Sequence, residues 1–268
     1  MALVSEANYC AYSHYAAMLG RTGVDWLIAV YETYFDDSGT NAQSDIAIAA
    51  CYVSTESGWR NFVKEWDRAR DEEGFDVFHM AEFIAPREQG HKPWCDWDNP
   101  RKDRVYTRLA TIINENKRIG LAAAVPKAVY NKVPERIREH YGQEHYTFAV
   151  RMCLMGIANW RRESFIRLPM QYIFDWEKPG TPKHIEVSQT MGTIHEALKP
   201  MFGMDDGGFS FQHRNHFKPL QAADILAWQM NNYMPKIYPH GENEEDLDAL
   251  LKPGFKILRL DQEMDWLC

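Results

Sequence analysis

The chain has 268 residues, of which 45% are hydrophobic, 25% charged and 13% aromatic, the composition of a globular protein with one large or two small domains. No stretch approaches the roughly 18 apolar residues that a membrane span requires, and residues 1–20 lack the features of a secretory signal. The five scattered cysteines show no CxxC spacing, which argues against a disulfide framework and favours a reducing, cytoplasmic setting.

Charge is distributed unevenly along the chain, whose net charge is −8. Residues 101–218 carry 19 Lys and Arg against 12 Asp and Glu, whereas the flanking segments are acidic. A basic middle segment is compatible with a phosphate-binding face, and hence with a nucleic-acid partner. The alternative is ordinary variation of surface charge, because charge patterning is a weak signal.

The first elements are predicted from local composition. Residues 5–19 read as a helix, which we assign to an N-terminal extension spanning residues 1–25. Two strands follow over residues 26–35 and 46–53, because both runs are rich in β-branched and aromatic residues. The polar turn between them, which contains Gly39, favours pairing as a hairpin.

The remaining segments alternate between helical and strand patterns. Helices are predicted over residues 57–73, 102–116, 144–163, 184–198 and 220–233. Strands are predicted over residues 75–80, 119–125, 170–174 and 209–213. Residues 85–100, which are rich in Pro, Trp and charge, are predicted to form a long loop.

A hairpin followed by alternating helices and strands is typical of a mixed sheet with helices on its faces. The sequence therefore predicts one α/β domain over residues 26–235, with a helical or loop insertion. Residues 236–268 are predicted to form a C-terminal extension that packs on this domain.

Three short acidic stretches, far apart in the sequence, end or open apolar runs. Asp36 and Asp37 end the first strand, Asp175 follows the strand at 170–174, and Asp224 lies where an apolar helix begins. Ligand sites of α/β sheets gather beyond the carboxyl ends of strands, and carboxylates that leave water need compensation. If the fold brings these groups together, a divalent cation is the usual compensation. The alternatives are ordinary turn and helix-terminus roles.

These stretches also carry a family resemblance. An Asp-Asp-Ser-Gly strand end, His79 further along, Asp175 closing a middle strand and a final Leu-Gln-Ala-Ala-Asp helix resemble the bacterial domain of unknown function 3800 over about residues 28–232. The resemblance implies a ribonuclease H-like fold. Asp37 stands where that family has a glutamate, and aspartate is one methylene shorter, so Asp36 is expected to be the main ligand from the first strand.

The resemblance implies carboxylate ligands from the first strand, a middle strand and the last helix, which are Asp36, Asp175 and Asp224, with Asp37 secondary. His79 matches the family's mid-chain histidine and is expected to orient a water or a phosphate. Glu82 is three residues on, so it shares a helical face with His79 and is a further candidate ligand. Two substrate contacts are also expected: Lys178, beside Asp175, and Gln221, within the last motif.

The leading hypothesis is a nuclease-like phosphodiester hydrolase that uses Mg²⁺ or Mn²⁺, because hard cations select carboxylate oxygens. One rival is a non-catalytic binding protein on the same fold, part of a phage-defence system or a mobile element. A second rival is a structural cluster, in which the aspartates pair with Lys178, Arg214 or Lys218. A zinc site is disfavoured, because the His and Cys pairs lack partners at suitable spacing.

Overall fold

The computed structural model describes residues 31–204, 208–237 and 255–259. Six strands form one sheet in the order β5-β4-β1-β2-β3-β6. Their bounds are β1 Tyr31–Ser38, β2 Ile46–Thr55, β3 Ile119–Pro126, β4 Met170–Asp175, β5 Phe209–Gln212 and β6 Phe255–Arg259. The helices are α1 Glu56–Glu73, α2 Met80–Ile84, α3 Asn99–Asn116, α4 Lys127–Tyr130, α5 Glu135–Tyr141, α6 His145–Glu163, α7 Pro182–Phe202 and α8 Pro219–Ile237.

The sheet is mixed. Strands β1, β2 and β3 form an antiparallel meander, while β4 pairs parallel to β1 and β5 pairs parallel to β4. This strand order and these directions confirm the predicted α/β, ribonuclease H-like mixed sheet. Strand β6 adds to the far edge, parallel to β3, so the described part of the predicted C-terminal extension extends the sheet.

Helices cover both faces of the sheet, and alternating residues of the strands separate two cores. On one face, Tyr34 of β1 and Ile48 of β2 pack with α1, α3 and α8. On the other face, Phe35 and Cys51 pack with α6. Because both faces are covered, β2 and β3 are buried almost throughout.

Helix α1 shows how local signals set the boundaries. The Thr55 hydroxyl accepts a hydrogen bond from the Gly58 N–H at 3.1 Å and caps the start of the helix. At the other end, Gly74 adopts the left-handed conformation and its N–H donates to the Arg70 carbonyl. Helices α1, α2 and α3 lie between β2 and β3 in the chain.

The strand predicted over residues 75–80 is wrong. This segment is irregular and leads into α2, and residues 87–89 and 94–96 form short 3₁₀ turns within the predicted loop. Its apolar side chains Phe75, Phe78 and Met80 are buried as expected, but side chains of α8, rather than a neighbouring strand, bind its backbone N–H groups.

Some predictions lie outside the described residues, namely the N-terminal extension 1–25, with its helix at 5–19, and most of residues 236–268. Within the part of the chain that the structure describes, no helix is both long and apolar enough to cross a membrane.

Candidate functional site

The site lies at the carboxyl end of β1, where the chain turns sharply. Phe35 of β1 is the register partner of Phe174 of β4, so the next residues, Asp36 and Asp175, are neighbours on the same face of the sheet. Gly39 permits the turn that follows, because its φ of 67° is left-handed and a Cβ there would overlap the Ile46 carbonyl oxygen. Local sequence thus fixes where both carboxylates emerge.

Helix α8 supplies the third carboxylate from above this face. Its small residues Ala222, Ala223 and Ala227 are buried, which lets the helix lie close to the sheet. Asp224 is only 7% exposed, and its Oδ2 accepts a hydrogen bond from the Met80 N–H at 2.6 Å. Asp224 is therefore anchored to α2 while its other oxygen is directed towards the sheet end.

One guanidinium joins the three carboxylates. Arg214 lies between β5 and α8, and its Nε donates to Asp175 Oδ2 at 3.0 Å. Its Nη2 contacts Asp175 and lies 3.3 Å from Asp36 Oδ2, while its Nη1 is 3.1 Å from Asp224 Oδ1. The structure therefore brings Asp36, Asp175 and Asp224 together, around an arginine.

The negative charge of this cluster is only partly compensated, because three carboxylates face one guanidinium. Burial is the largest influence on Asp36, which is 2% exposed, and it raises the pKa of that carboxyl well above its usual value. Arg214 opposes this shift, whereas Asp224, Asp37 and Asp175 add to it. Burial acts to lower the pKa of Arg214, but its three carboxylate neighbours outweigh burial and raise that pKa. The cluster thus has unmet demand for positive charge.

The structure corrects the assignment of Asp37 as a ligand alongside Asp36. Consecutive residues of a strand point to opposite faces, and Asp37 lies on the face of α6 and α7. There its Oδ1 is 2.6 Å from Lys183 Nζ and its Oδ2 accepts from Thr40 Oγ1 at 2.6 Å. Lys183 also pairs with Glu177 at 3.0 Å. Asp37 is therefore engaged in a separate ion-pair group.

His79 and Glu82 lie beside the cluster, at the start of α2. His79 Nε2 is 3.7 Å from Asp224 Oδ1, and its Nδ1 is 3.6 Å from Glu82 Oε1. Both side chains are partly exposed, at 37% and 44%. The predicted shared face is thus present, and Glu82 reaches the cluster through His79.

Gln221 is buried rather than available to a substrate, which corrects its expected role. Its Oε1 accepts from the Phe78 N–H at 2.9 Å and from Trp66 Nε1 at 3.2 Å. Its Nε2 donates to the Arg214 carbonyl at 2.9 Å. Gln221 therefore ties the segment before His79 to the loop that carries Arg214, and it acts as a positioning residue.

The three cations named in the structural-cluster rival have different surroundings. Arg214 pairs with the aspartates, whereas Lys218 is 3.2 Å from Asp67 instead. Lys178 is exposed in the turn after β4. The structural-cluster hypothesis therefore named one correct partner of the aspartates, Arg214. The three carboxylates nevertheless lie together.

Two aromatic residues beside the cluster were missed by sequence reasoning. Trp176 follows Asp175, is 45% exposed and stacks on His213 with ring centroids 4.8 Å apart and planes 15° apart. His213 precedes Arg214. A tryptophan directly after a candidate ligand was the available signal, since most other tryptophans of the chain lie at helical spacing.

The donor set suits a hard divalent cation, because the converging groups are carboxylate oxygens. In the arrangement observed, no group of three or more His, Cys, Asp or Glu side chains among the described residues is placed to hold a metal ion. Arg214 accounts for this difference, since its guanidinium lies between the carboxylates. The residues fit a cation by their chemistry, and the cation would have to displace Arg214.

Comparisons with known proteins show little. The chain matches no protein-family model, and no curated protein is similar to it in sequence. A chain of the solved PCNA:RNase HII complex from Archaeoglobus fulgidus is similar at 12% identity and a TM-score of 0.36, with 82% of this chain and 86% of that chain covered. A TM-score of this size carries no argument, so the ribonuclease H-like fold rests on the order and direction of the strands.

Proposed function

We propose that the protein is a nuclease-like phosphodiester hydrolase whose divalent cation, Mg²⁺ or Mn²⁺, is held by Asp36, Asp175 and Asp224. The observation that carries the proposal is the convergence of these three carboxylates, from β1, β4 and α8, on one guanidinium. Helix α8 and the ends of two strands place acidic groups where desolvation is costly. Because three carboxylates share one guanidinium, a bound divalent cation would offset the remaining negative charge.

The bound cation would supply an activated water and stabilisation of the leaving oxygen. Hard oxygen donors suit this task, because such ions retain several water ligands. Asp224 is the most firmly oriented donor, since the Met80 N–H holds one of its oxygens. Asp36 is the most desolvated, at 2% exposure.

His79 is proposed to position the nucleophilic water through Nε2, the nitrogen nearer Asp224. Glu82 is proposed to orient the ring from the Nδ1 side, 3.6 Å away. This orienting role differs from the metal-ligand role that the sequence suggested for Glu82, because the Glu82 carboxylate contacts His79. The partial exposure of both residues leaves room for solvent and substrate.

A nucleic-acid substrate is proposed because suitable contacts surround the cluster. The Trp176–His213 stack offers a flat, half-exposed aromatic surface next to Asp175, and bases stack on such surfaces. Lys178, exposed in the same turn, is proposed to meet a substrate phosphate. Likeness to the bacterial domain of unknown function 3800 agrees with this proposal but stays a resemblance.

The alternative is a non-catalytic role in which Arg214 is the permanent counter-ion of the cluster. The observation that favours it is the contact of Arg214 with all three aspartates. One calorimetric experiment separates the two. Titration with Mn²⁺ should give saturable binding to the wild-type protein and none to Asp224→Asn, and wild-type protein that binds no Mn²⁺ at millimolar concentration would support the alternative.

Activity is tested in parallel with labelled DNA and RNA. Mn²⁺-dependent cleavage is expected for the wild-type protein and is expected to be lost in Asp36→Asn and in Asp224→Asn. Asp37→Asn is the matched control, because Asp37 carries the same charge on the opposite face of β1. Equal cleavage by all four proteins would reject the assignment.

A further inference from the structure

A second candidate binding site lies at the opposite end of β4 from the carboxylates. A cleft of about 670 Å³ opens between the C-terminal ends of α6 and α7, at Pro169 and Gly203. Strand β4 begins at Met170 and ends at Asp175, so the two sites are separated by about 16 Å along the strand, at 3.3 Å per residue. We call this the Phe165 cleft, after the exposed residue that precedes the lining residue Ile166 in the chain.

The Phe165 cleft is strongly cationic. Four of its lining residues are Arg161, Arg162, Arg167 and Lys199, and none of the described residues that line it is acidic. Glu163 is exposed in the same turn but does not line the cleft. Such a concentration of positive charge in a concave surface attracts phosphates.

Arg161 forms the rigid floor of this cleft. It is 4% exposed, and its Nη1 donates to the Leu168 carbonyl at 2.7 Å. The guanidinium also lies against Gly203, where any side chain would overlap it. The loop between α6 and β4 is therefore tied down, while Arg162 in the last turn of α6 and Arg167 on the loop are exposed.

The backbone conformation and the exposure of Phe165 have no explanation in the packing of the fold. Its φ of 54° is left-handed, and it is the one non-glycine residue of the described chain with positive φ. It follows the C-terminus of α6, a position where glycine is usual because a Cβ is unfavourable there. The side chain is 88% exposed, so packing gives no compensation. A residue that opposes local preference without a packing gain points to a role in binding.

We propose that the Phe165 cleft binds a single-stranded nucleic acid, with a base stacked on Phe165 and phosphates on Arg162 and Arg167. Aromatic stacking combined with a cationic groove is the physical basis of single-strand binding. A duplex hides its bases from such a ring, which is why a single strand is the expected ligand. The site is independent of the carboxylate cluster and needs no metal.

The test is fluorescence anisotropy with a labelled oligo-dT in EDTA, where metal-dependent cleavage cannot occur. Phe165→Ala should weaken binding roughly tenfold, within the range of one stacked base. Met155→Ala, which removes an exposed apolar side chain of α6, should have no effect. An abasic oligomer of equal length should bind the wild-type protein about as weakly as oligo-dT binds Phe165→Ala.

Salt dependence tests the phosphate contacts. The double variant Arg162→Ala/Arg167→Ala should reduce the slope of log K against log salt by about 1.4, since single strands contribute about 0.7 per phosphate contact. Lys132→Ala/Arg136→Ala removes two exposed charges elsewhere and should leave binding unchanged. Equal slopes for the two double variants would overturn the proposal.

A stability control guards against misfolding as the cause. Phe165→Gly should raise the melting temperature, because glycine suits the left-handed backbone, and should still weaken oligo-dT binding. Loss of binding together with a lower melting temperature would contradict a binding role for Phe165. The oligo-dT measurements need no metal, whereas the carboxylate proposal is tested by Mn²⁺ binding, so failure here and failure of the metal proposal are distinguishable.

Discussion

Asp36 and Asp37 are consecutive residues of one strand, yet their surroundings differ in a way that separates function from structure. Asp37 shares Lys183 with Glu177 on the α6 and α7 face, where its carboxylate is 21% exposed. Asp36 is almost fully buried on the α8 face and shares Arg214 with Asp175 and Asp224. The face of α6 and α7 therefore has two carboxylates around one cation, whereas the α8 face has three.

This comparison shows where additional charge is needed. Water and Lys183 meet the demand of Asp37, because its site is partly open. At Asp36 water is excluded, and the raised pKa of its carboxyl, caused first by burial and then by neighbouring carboxylates, reflects poor compensation. A divalent cation would correct the balance on one face and has no corresponding place on the other.

The largest expected effect is on Mn²⁺ affinity, and it tests whether the two faces differ. Asp36→Asn should lower Mn²⁺ affinity at least about 100-fold, because even an outer-shell partner of a metal ligand costs up to that much. Asp37→Asn should change the affinity less than about threefold. Calorimetry with both variants measures the difference, and equal losses would mean that the two faces are not distinct.

The next effect concerns Gln221, which ties the loop that carries Arg214 to the Asp36 face. Gln221→Leu should lower the free energy of unfolding by about 2 kcal/mol, since it leaves the buried Phe78 N–H and Trp66 Nε1 without an acceptor. Urea denaturation measures this change. An unchanged midpoint combined with a raised KM for nucleic acid would instead favour direct substrate contact.

A smaller effect compares the two cations. Arg214→Met should raise Mn²⁺ affinity about tenfold, a difference of about 1.4 kcal/mol, because the guanidinium competes for the same oxygens. Lys183→Met removes a cation of equal charge from the other face and should leave Mn²⁺ affinity unchanged. If Arg214→Met binds Mn²⁺ more weakly than the wild-type protein, Arg214 supports the cation rather than opposing it.

The smallest effect is on stability and depends on pH. Because the pKa of Asp36 is raised on folding, the folded state binds more protons and the wild-type protein loses stability as pH rises above the unfolded value, near 3.9. Asp36→Asn removes this loss and should be more stable at pH 7 than the wild-type protein. Thermal melts in EDTA should show the difference shrinking towards pH 4, and a constant difference would exclude this cause.

Sequence reasoning reached most of the fold because hydrophobic patterns are local. The strands at 46–53 and 119–125 and the helix at 57–73 agree closely with β2, β3 and α1. The strand expected at 75–80 failed because Gln221 and Asp224, which lie 143 and 144 residues from the backbone N–H groups they accept from, bind its backbone. No local pattern reports such tertiary hydrogen bonds.

The site residues divide in the same way, into those that local sequence indicates and those that depend on tertiary contacts. Asp36, Asp175 and Asp224 stood out because carboxylates at the ends of apolar runs need compensation. Strand alternation alone could have separated Asp37 from Asp36. Arg214 was one of three possible partners of the aspartates in the sequence analysis. Its central position depends on how the loop between β5 and α8 crosses the sheet end, so the sequence alone could not select it.

The most direct measurement is a crystal soaked in Mn²⁺, with anomalous diffraction recorded at the metal edge. The account predicts a peak within ligand distance, roughly 2.0–2.2 Å, of oxygens from Asp36, Asp175 and Asp224, with the Arg214 guanidinium displaced. A map with no peak there at millimolar Mn²⁺, and with Arg214 still in contact with all three aspartates, would contradict it.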